Sequence, residues 1–371
     1  DRSTGLFLNF TTHAGEAILV QSGLSLVSID QARLNLESEL GTFGWDFDAV
    51  SENNRRAWND LLTSIRVEGG CEDDKKMCYT AMYRVFAGLA AWRDVDGRYV
   101  DMYERIQEPD DQTLTLFGST PPGPGTVAIN QLMALCQPDL VNSQVRSLLA
   151  LHACGGWFPE SSEGIEYSEN CVSAHLIPLM ASAWQKGIRD YDTVMLYQAL
   201  IHDLTNAGLP HAGDGFAGKR YLENYLSAGF VPVMESHADI TLEYAYHDGV
   251  MAEMARASGE TPDYMTFAKR AFSYRNVADA NIGVMQAFVP HDVRGLVEIY
   301  GREEFVARLE REISGSFSSL LKEVDSDSEM KARLYSANYH VLQSPLQAAW
   351  LFNYAGAPWL TQKWVREILS D

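Results

Sequence analysis

Val145-Arg146-Ser147-Leu148-Leu149-Ala150-Leu151-His152-Ala153-Cys154-Gly155-Gly156 decides the fold class. Val145, Leu148, Leu149 and His152 share one face at helical spacing, and the glycine pair ends the run. Ile240, Tyr244, Val250, Met251 and Met254 form a second such stripe, ended by Gly259. Comparable segments cover approximately 51–66, 73–90, 172–187, 190–204, 261–275, 302–313 and 343–355. The total is roughly a dozen helices, many joined by short loops, so that neighbours run antiparallel. The head of the chain differs. Leu6-Phe7-Leu8-Asn9-Phe10 and the stretch from Ala17 to Ser28 read as strands. Gly and Pro cluster at 118–125, a rigid irregular loop. A mainly α protein with a short β lead-in fits either a closed helical toroid or a stacked solenoid.

Composition narrows the function classes. The 371 residues carry 29 Lys and Arg against 50 Asp and Glu, a net charge of −21. A broad nucleic-acid surface is excluded, because phosphate contacts need clustered cations. No apolar run reaches the roughly 18 residues of a membrane helix. The five cysteines form no CxxC pair. Cys71 with Cys78, and Cys154 with Cys171, are the pairs to test for disulfides, with free thiols as the alternative. Asn9-Phe10-Thr11 is a glycosylation sequon, meaningful in a eukaryotic secretory setting. The chain has no signal peptide and no initiator Met, so it is expected to begin after processing or within a longer protein. Nine histidines show no HExxH or comparable spacing, which argues against a transition-metal site. No nucleophile elbow, P-loop or dinucleotide fingerprint is present.

Further motifs follow one another along the chain. Trp45-Asp46-Phe47-Asp48 precedes Trp58-Asn59-Asp60-Leu61-Leu62 and Ile65-Arg66-Val67-Glu68-Gly69-Gly70-Cys71. Asp94-Val95-Asp96-Gly97-Arg98-Tyr99, Gly155-Gly156-Trp157-Phe158-Pro159 and Thr241-Leu242-Glu243-Tyr244-Ala245-Tyr246 come next. Phe288-Val289-Pro290-His291-Asp292-Val293 and Asn353-Tyr354-Ala355-Gly356-Ala357-Pro358-Trp359 complete the series. In this order, over nearly the whole chain, they resemble glycoside hydrolase family 92. The resemblance implies a calcium-dependent, inverting, exo-acting α-mannosidase. It implies an N-terminal β-sandwich joined to an (α/α)6 toroid with the active site between them. Residues 1–40 would then be remnant strands and linker of that sandwich. Residues 41–371 would be the toroid, incomplete at the C-terminus.

An inverting glycosidase needs two carboxyl groups about 6.5–9.5 Å apart, one as acid and one as base. The family's general acid is a Glu shortly before Phe-Val-Pro-His-Asp. Counting back from Phe288 reaches Asp279, a candidate acid one methylene shorter, or else an ordinary helix-end Asp. The family's base is expected beyond Asp371. A Glu beside paired His residues helps hold calcium in the family, and Gln343 takes its place here, so calcium is expected to be weakened or lost. The family's sugar-binding Trp-Asp segment falls at Gly123-Pro124-Gly125, without aromatic or carboxylate. His291 and Asp292 are kept, as pocket lining or as a helix N-terminus. Trp157 either stacks on a sugar ring or packs a helix end. Glu243 and Asp248 lie about one turn apart, and a solvated pair is expected.

The reading is a family 92-like module, catalytically impaired or inactive, with a structural or carbohydrate-binding role. Its setting is extracellular, or periplasmic in a bacterium. Its partner is an α-mannoside glycan or a protein of an extracellular assembly, with neither nucleic acid nor a membrane span. The alternative is an active calcium-dependent mannosidase whose remaining segments lie outside this chain.

Overall fold

Side-chain caps set the helix starts. The structure is a computed structural model that describes residues 7–109, 114–117, 126–159, 167, 176–211, 215–232, 238–278, 283–285, 287, 289–323 and 345–370. Ser28 accepts from the Gln31 amide at 3.1 Å and starts α1, Ile29–Leu40. Asp46 caps α2, Phe47–Leu62, through the Ala49 amide. Cys71 and Asp74 form a reciprocal capping box at the start of α3, Glu72–Ala87. A two-strand ribbon, β1 Tyr99–Val100 against β2 Ile106–Gln107, leads toward α4, Thr126–Cys136. Pro138 in the first turn starts α5, Pro138–Gly155, which ends at the left-handed Gly156.

The chain continues through α6, Leu176–Gln185, and α7, Thr193–Thr205, capped by Asp192. A second ribbon pairs β3 Leu209–Pro210 with β4 Phe216–Ala217 before α8, Leu222–Ala228. Helix α9, Ala238–Ser258, packs most extensively against α10, Thr261–Ala271. A 3-10 turn, Phe272–Asn276, leads to α11, Val293–Tyr300, and α12, Arg302–Glu323. The described chain closes with α13, Pro345–Ala348, a 3-10 turn, Ala349–Asn353, and α14, Pro358–Ser370. The protein is mainly helical, as its periodicity predicts.

Two large apolar clusters carry the packing. The first joins Phe86, Val145, Leu148, Leu149, Leu200, Met251 and Phe267. The second joins Leu242, Ala245, Leu296, Phe305, Ile313, Phe352 and Trp364. Helix α9 supplies residues to both, and thirteen of its 21 residues are buried, so it is a core helix with little solvent face.

The lead-in departs from expectation. Residues 7–28 contain no strand, and Ile29–Leu40 is helix rather than linker. A strand needs a neighbour for its backbone N–H and C=O groups, and among the described residues none pairs with 7–28. Side chains hold the segment instead. Ser25 donates to Asp94 at 2.7 Å, and Asn35 donates to the Leu24 carbonyl at 2.7 Å. Phe7 and Leu24 are exposed.

Candidate functional site

A cleft of about 240 Å³ opens where α4, α6 and α9 meet the turn before α11. His291, Tyr246, Asn130, Ser182, Gln185 and Glu253 contribute to its lining. His291 lies flat along α9 because position 249 is glycine. A Cβ there would meet the imidazole at 2.8–2.9 Å. The ring stacks on Tyr246, with centroids 6.0 Å apart and planes 23° apart. Its Nε2 lies 2.9 Å from the Ala271 carbonyl, so that nitrogen carries the proton. Burial lowers the His291 pKa, against weaker opposing effects of the Ala271 bond and Asp292. An amide-, hydroxyl- and aromatic-lined cleft of this kind suits a polyhydroxylated ligand.

Asp292 serves the backbone. Its Oδ1 accepts from the Gly295 amide at 3.0 Å and caps α11, while Oδ2 accepts from the Tyr274 hydroxyl at 2.6 Å. The structure places Asp292 at the start of α11 and His291 in the lining of the cleft. Trp157 is buried and packs the end of α5, with its ring 4.5 Å from that of His202. Gly218, at φ +81°, makes room for it, since a Cβ would meet the indole at 2.6 Å. Asp279, Gln343 and the 123–125 segment lie outside the described residues. Asn9 is exposed.

One expectation needs correction. Glu243 and Asp248 are not a solvated pair; both are fully buried. Glu243 lies 3.1 Å from Nε2 of His247, one turn along α9. Asp248 accepts from the Tyr225 hydroxyl at 2.7 Å and from Nε of Arg270 at 2.9 Å. The second oxygen of Asp248 pairs with Arg270 at 2.7 Å. Burial pushes the Asp248 carboxyl up to about 7, against the pull of Arg270 and Tyr225. Burial beside Asp248 likewise pushes the Tyr225 phenol up.

Of the two alternatives left open for Cys71 and Cys78, the structure has the free thiols. They sit seven positions apart at the head of one helix, a rise of roughly 10 Å, beyond disulfide reach. Cys154 is free as well, and Cys171 lies outside the described residues.

The fit to calcium can be judged from donor chemistry. Residues 343–347 offer amides and a hydroxyl but no carboxylate. Calcium prefers anionic oxygen, so a neutral amide at Gln343 would hold it less tightly than a carboxylate.

A sequence profile of the "Glycosyl hydrolase family 92 catalytic domain" matches residues 31–287 and 284–371.

The chain belongs to glycosyl hydrolase family 92.

It is similar to solved family 92 structures that share its fold. One is a family 92 inverting mannosidase from Bacteroides thetaiotaomicron, with TM-score 0.74 and 23% identity. The match covers 94% of this chain and 51% of that one. A second α-mannosidase of the family from the same organism gives TM-score 0.73 and 22% identity, over 93% and 47% of the two chains. An "uncharacterized secreted glycosidase" of Arthroderma benhamiae is 21% identical over 97% of this chain and 48% of its own length. The chain therefore spans about half the length of the relatives it matches. Among the described residues no helix of this family member is long and apolar enough to cross a membrane.

The cleft-lining Asn130, Ser182, Gln185 and Glu253 carry no sequence signal. They come from three helices and meet only through packing.

Proposed function

We propose that this chain is a family 92-type module that binds α-mannoside glycans at the His291 cleft, with hydrolysis impaired or lost. The lining of the cleft carries this reading. Among the described residues there, Glu253 is the sole carboxylate, and Arg256 holds it through contacts of 3.1 and 2.6 Å. Inverting hydrolysis needs a second carboxyl across the sugar. Amides, hydroxyls and an imidazole can recognise sugar hydroxyls without performing that chemistry. A likeness to a Bacteroides thetaiotaomicron α-mannosidase in complex with mannoimidazole, with TM-score 0.71 and 20% identity over 93% of this chain and 48% of that one, supports the ligand class.

In this reading Asp279 is the shortened remnant of the acid, and Gln343 marks a calcium position weakened to a neutral amide. The helices belong to an (α/α)6 toroid over 41–371. The exposed Asn9 sequon and the secreted relative support an extracellular setting, in which the partner is a mannoside glycan or an assembly protein.

The second reading is an active calcium-dependent α-mannosidase of which this chain is one part, favoured by its half-length match to relatives. One experiment separates the two. The native protein that carries this chain, isolated intact, is titrated calorimetrically with α-linked mannobiose in calcium buffer, and mannose release is followed in parallel. Binding without release is expected. Release above the buffer rate overturns the first reading in favour of the second, and absence of binding overturns the glycan-binding role.

A further inference from the structure

Away from the cleft, α5 and α7 bring three ligand-type atoms to one point. His152 lies in the last turn of α5, and His202 and Asp203 lie in the last turn of α7. Nε2 of His152, Nδ1 of His202 and Oδ1 of Asp203 all lie within 4.8 Å of one another. Oδ1 is 3.4 Å from the first nitrogen and 3.6 Å from the second. None of the three atoms has a hydrogen-bond partner, although each is buried, and the Asp203 side chain is only 3% exposed. Native proteins rarely leave one such group unsatisfied. Here three face each other.

We propose that His152, His202 and Asp203 bind a divalent transition metal of the zinc class. The distances fit. Neither contact to Oδ1 forms a hydrogen bond. Ligands about 2.0–2.1 Å from a tetrahedral ion stand roughly 3.4 Å apart. The donor set fits as well. Two imidazole nitrogens and one carboxylate oxygen suit zinc, whereas calcium and magnesium take oxygen. The site is also braced. The second oxygen of Asp203 accepts from the Phe158 amide at 3.3 Å, which fixes the carboxylate. The ring of Phe158 packs on His152 at 4.7 Å, and that of Trp157 packs on His202 at 4.5 Å. Both helices point their negative ends here, which favours a cation. The His202 side chain is 40% exposed although its Nδ1 is buried, so the cluster lies just beneath the surface. The metal ties the end of α5 to the end of α7. Fifty residues separate the two histidines, which is why short-range spacing argues against such a site and the folded chain supplies it.

The test uses the full chain, treated with chelator and then titrated with cobalt(II) or zinc. One equivalent of cobalt is expected to give the intense visible absorption of tetrahedral coordination, and one equivalent of zinc to raise Tm by several degrees. His202→Ala, at a partly exposed position, and Asp203→Asn, which keeps an acceptor for Phe158, are each expected to weaken binding at least tenfold. X-ray absorption of the zinc-loaded wild type is expected to show imidazole and oxygen scattering, and it does not depend on the variants folding. Absence of stoichiometric binding overturns the proposal. So does binding untouched by either folded variant, or sulfur in the first coordination shell.

Discussion

Asp203 and Asp248 are buried to almost the same depth, at 2% and 0% exposure, but are served differently. Around Asp248 the protein supplies its own partners: a phenol and a guanidinium donate to Oδ2, and Oδ1, without a hydrogen bond of its own, is ion-paired with the same guanidinium at 2.7 Å. Around Asp203 one oxygen takes the Phe158 amide and the other faces two imidazoles without a hydrogen bond. Desolvating a carboxylate costs several kcal/mol in either place. Where protein donors meet that cost, the carboxylate is a strut between helices. Where the facing nitrogens form no hydrogen bond with it, the group has the makings of a ligand set.

Substitutions test this contrast. The largest effect is expected from Arg270→Leu, which strands Asp248 without its cation. A loss of about 3–5 kcal/mol in urea unfolding is expected, and a loss below about 1 kcal/mol would break the contrast. Tyr225→Phe removes one bond to the same carboxylate and should cost about 1.5–3 kcal/mol. Asp203→Asn removes no hydrogen bond from Oδ1. In metal-free buffer its stability should stay within about 1 kcal/mol of wild type, or rise. A cost like that of Arg270→Leu would mean that Asp203 is a strut after all.

The smallest effect concerns pH. Burial lowers the His291 pKa in the folded chain, so the unfolded chain takes up the proton first on acidification. The His291 contribution is therefore complete above the ordinary histidine range. It falls as pH drops through that range toward the lower folded pKa. Thermal melts of wild type and His291→Gln over this window should show a shallower pH slope for the variant. Equal slopes would remove His291 from the account.

Local patterns made the helices legible and long-range pairs did not. The stripes at 145–152 and 240–254 are buried helix faces because period 3.6 follows from one segment alone. Residues 7–28 carry the alternation of a strand, but alternation describes a surface and not the neighbour it needs. Glu243 and Asp248 were visible as one helix. That Tyr225 and Arg270, more than twenty residues away on either side, reach in to Asp248 was not. His291 and Asp292 were legible as a motif, and their division into cleft lining and helix cap required coordinates.

Helix α9 lends residues to both apolar clusters, Leu242 and Ala245 to one and Met251 and Met254 to the other. Neither cluster can come apart without stripping a wall from its neighbour. Unfolding is therefore expected to be all-or-none across the two, as a single heat-absorption peak, although the chain is long enough for separate steps. The helix that carries the buried charges also makes the two halves melt together.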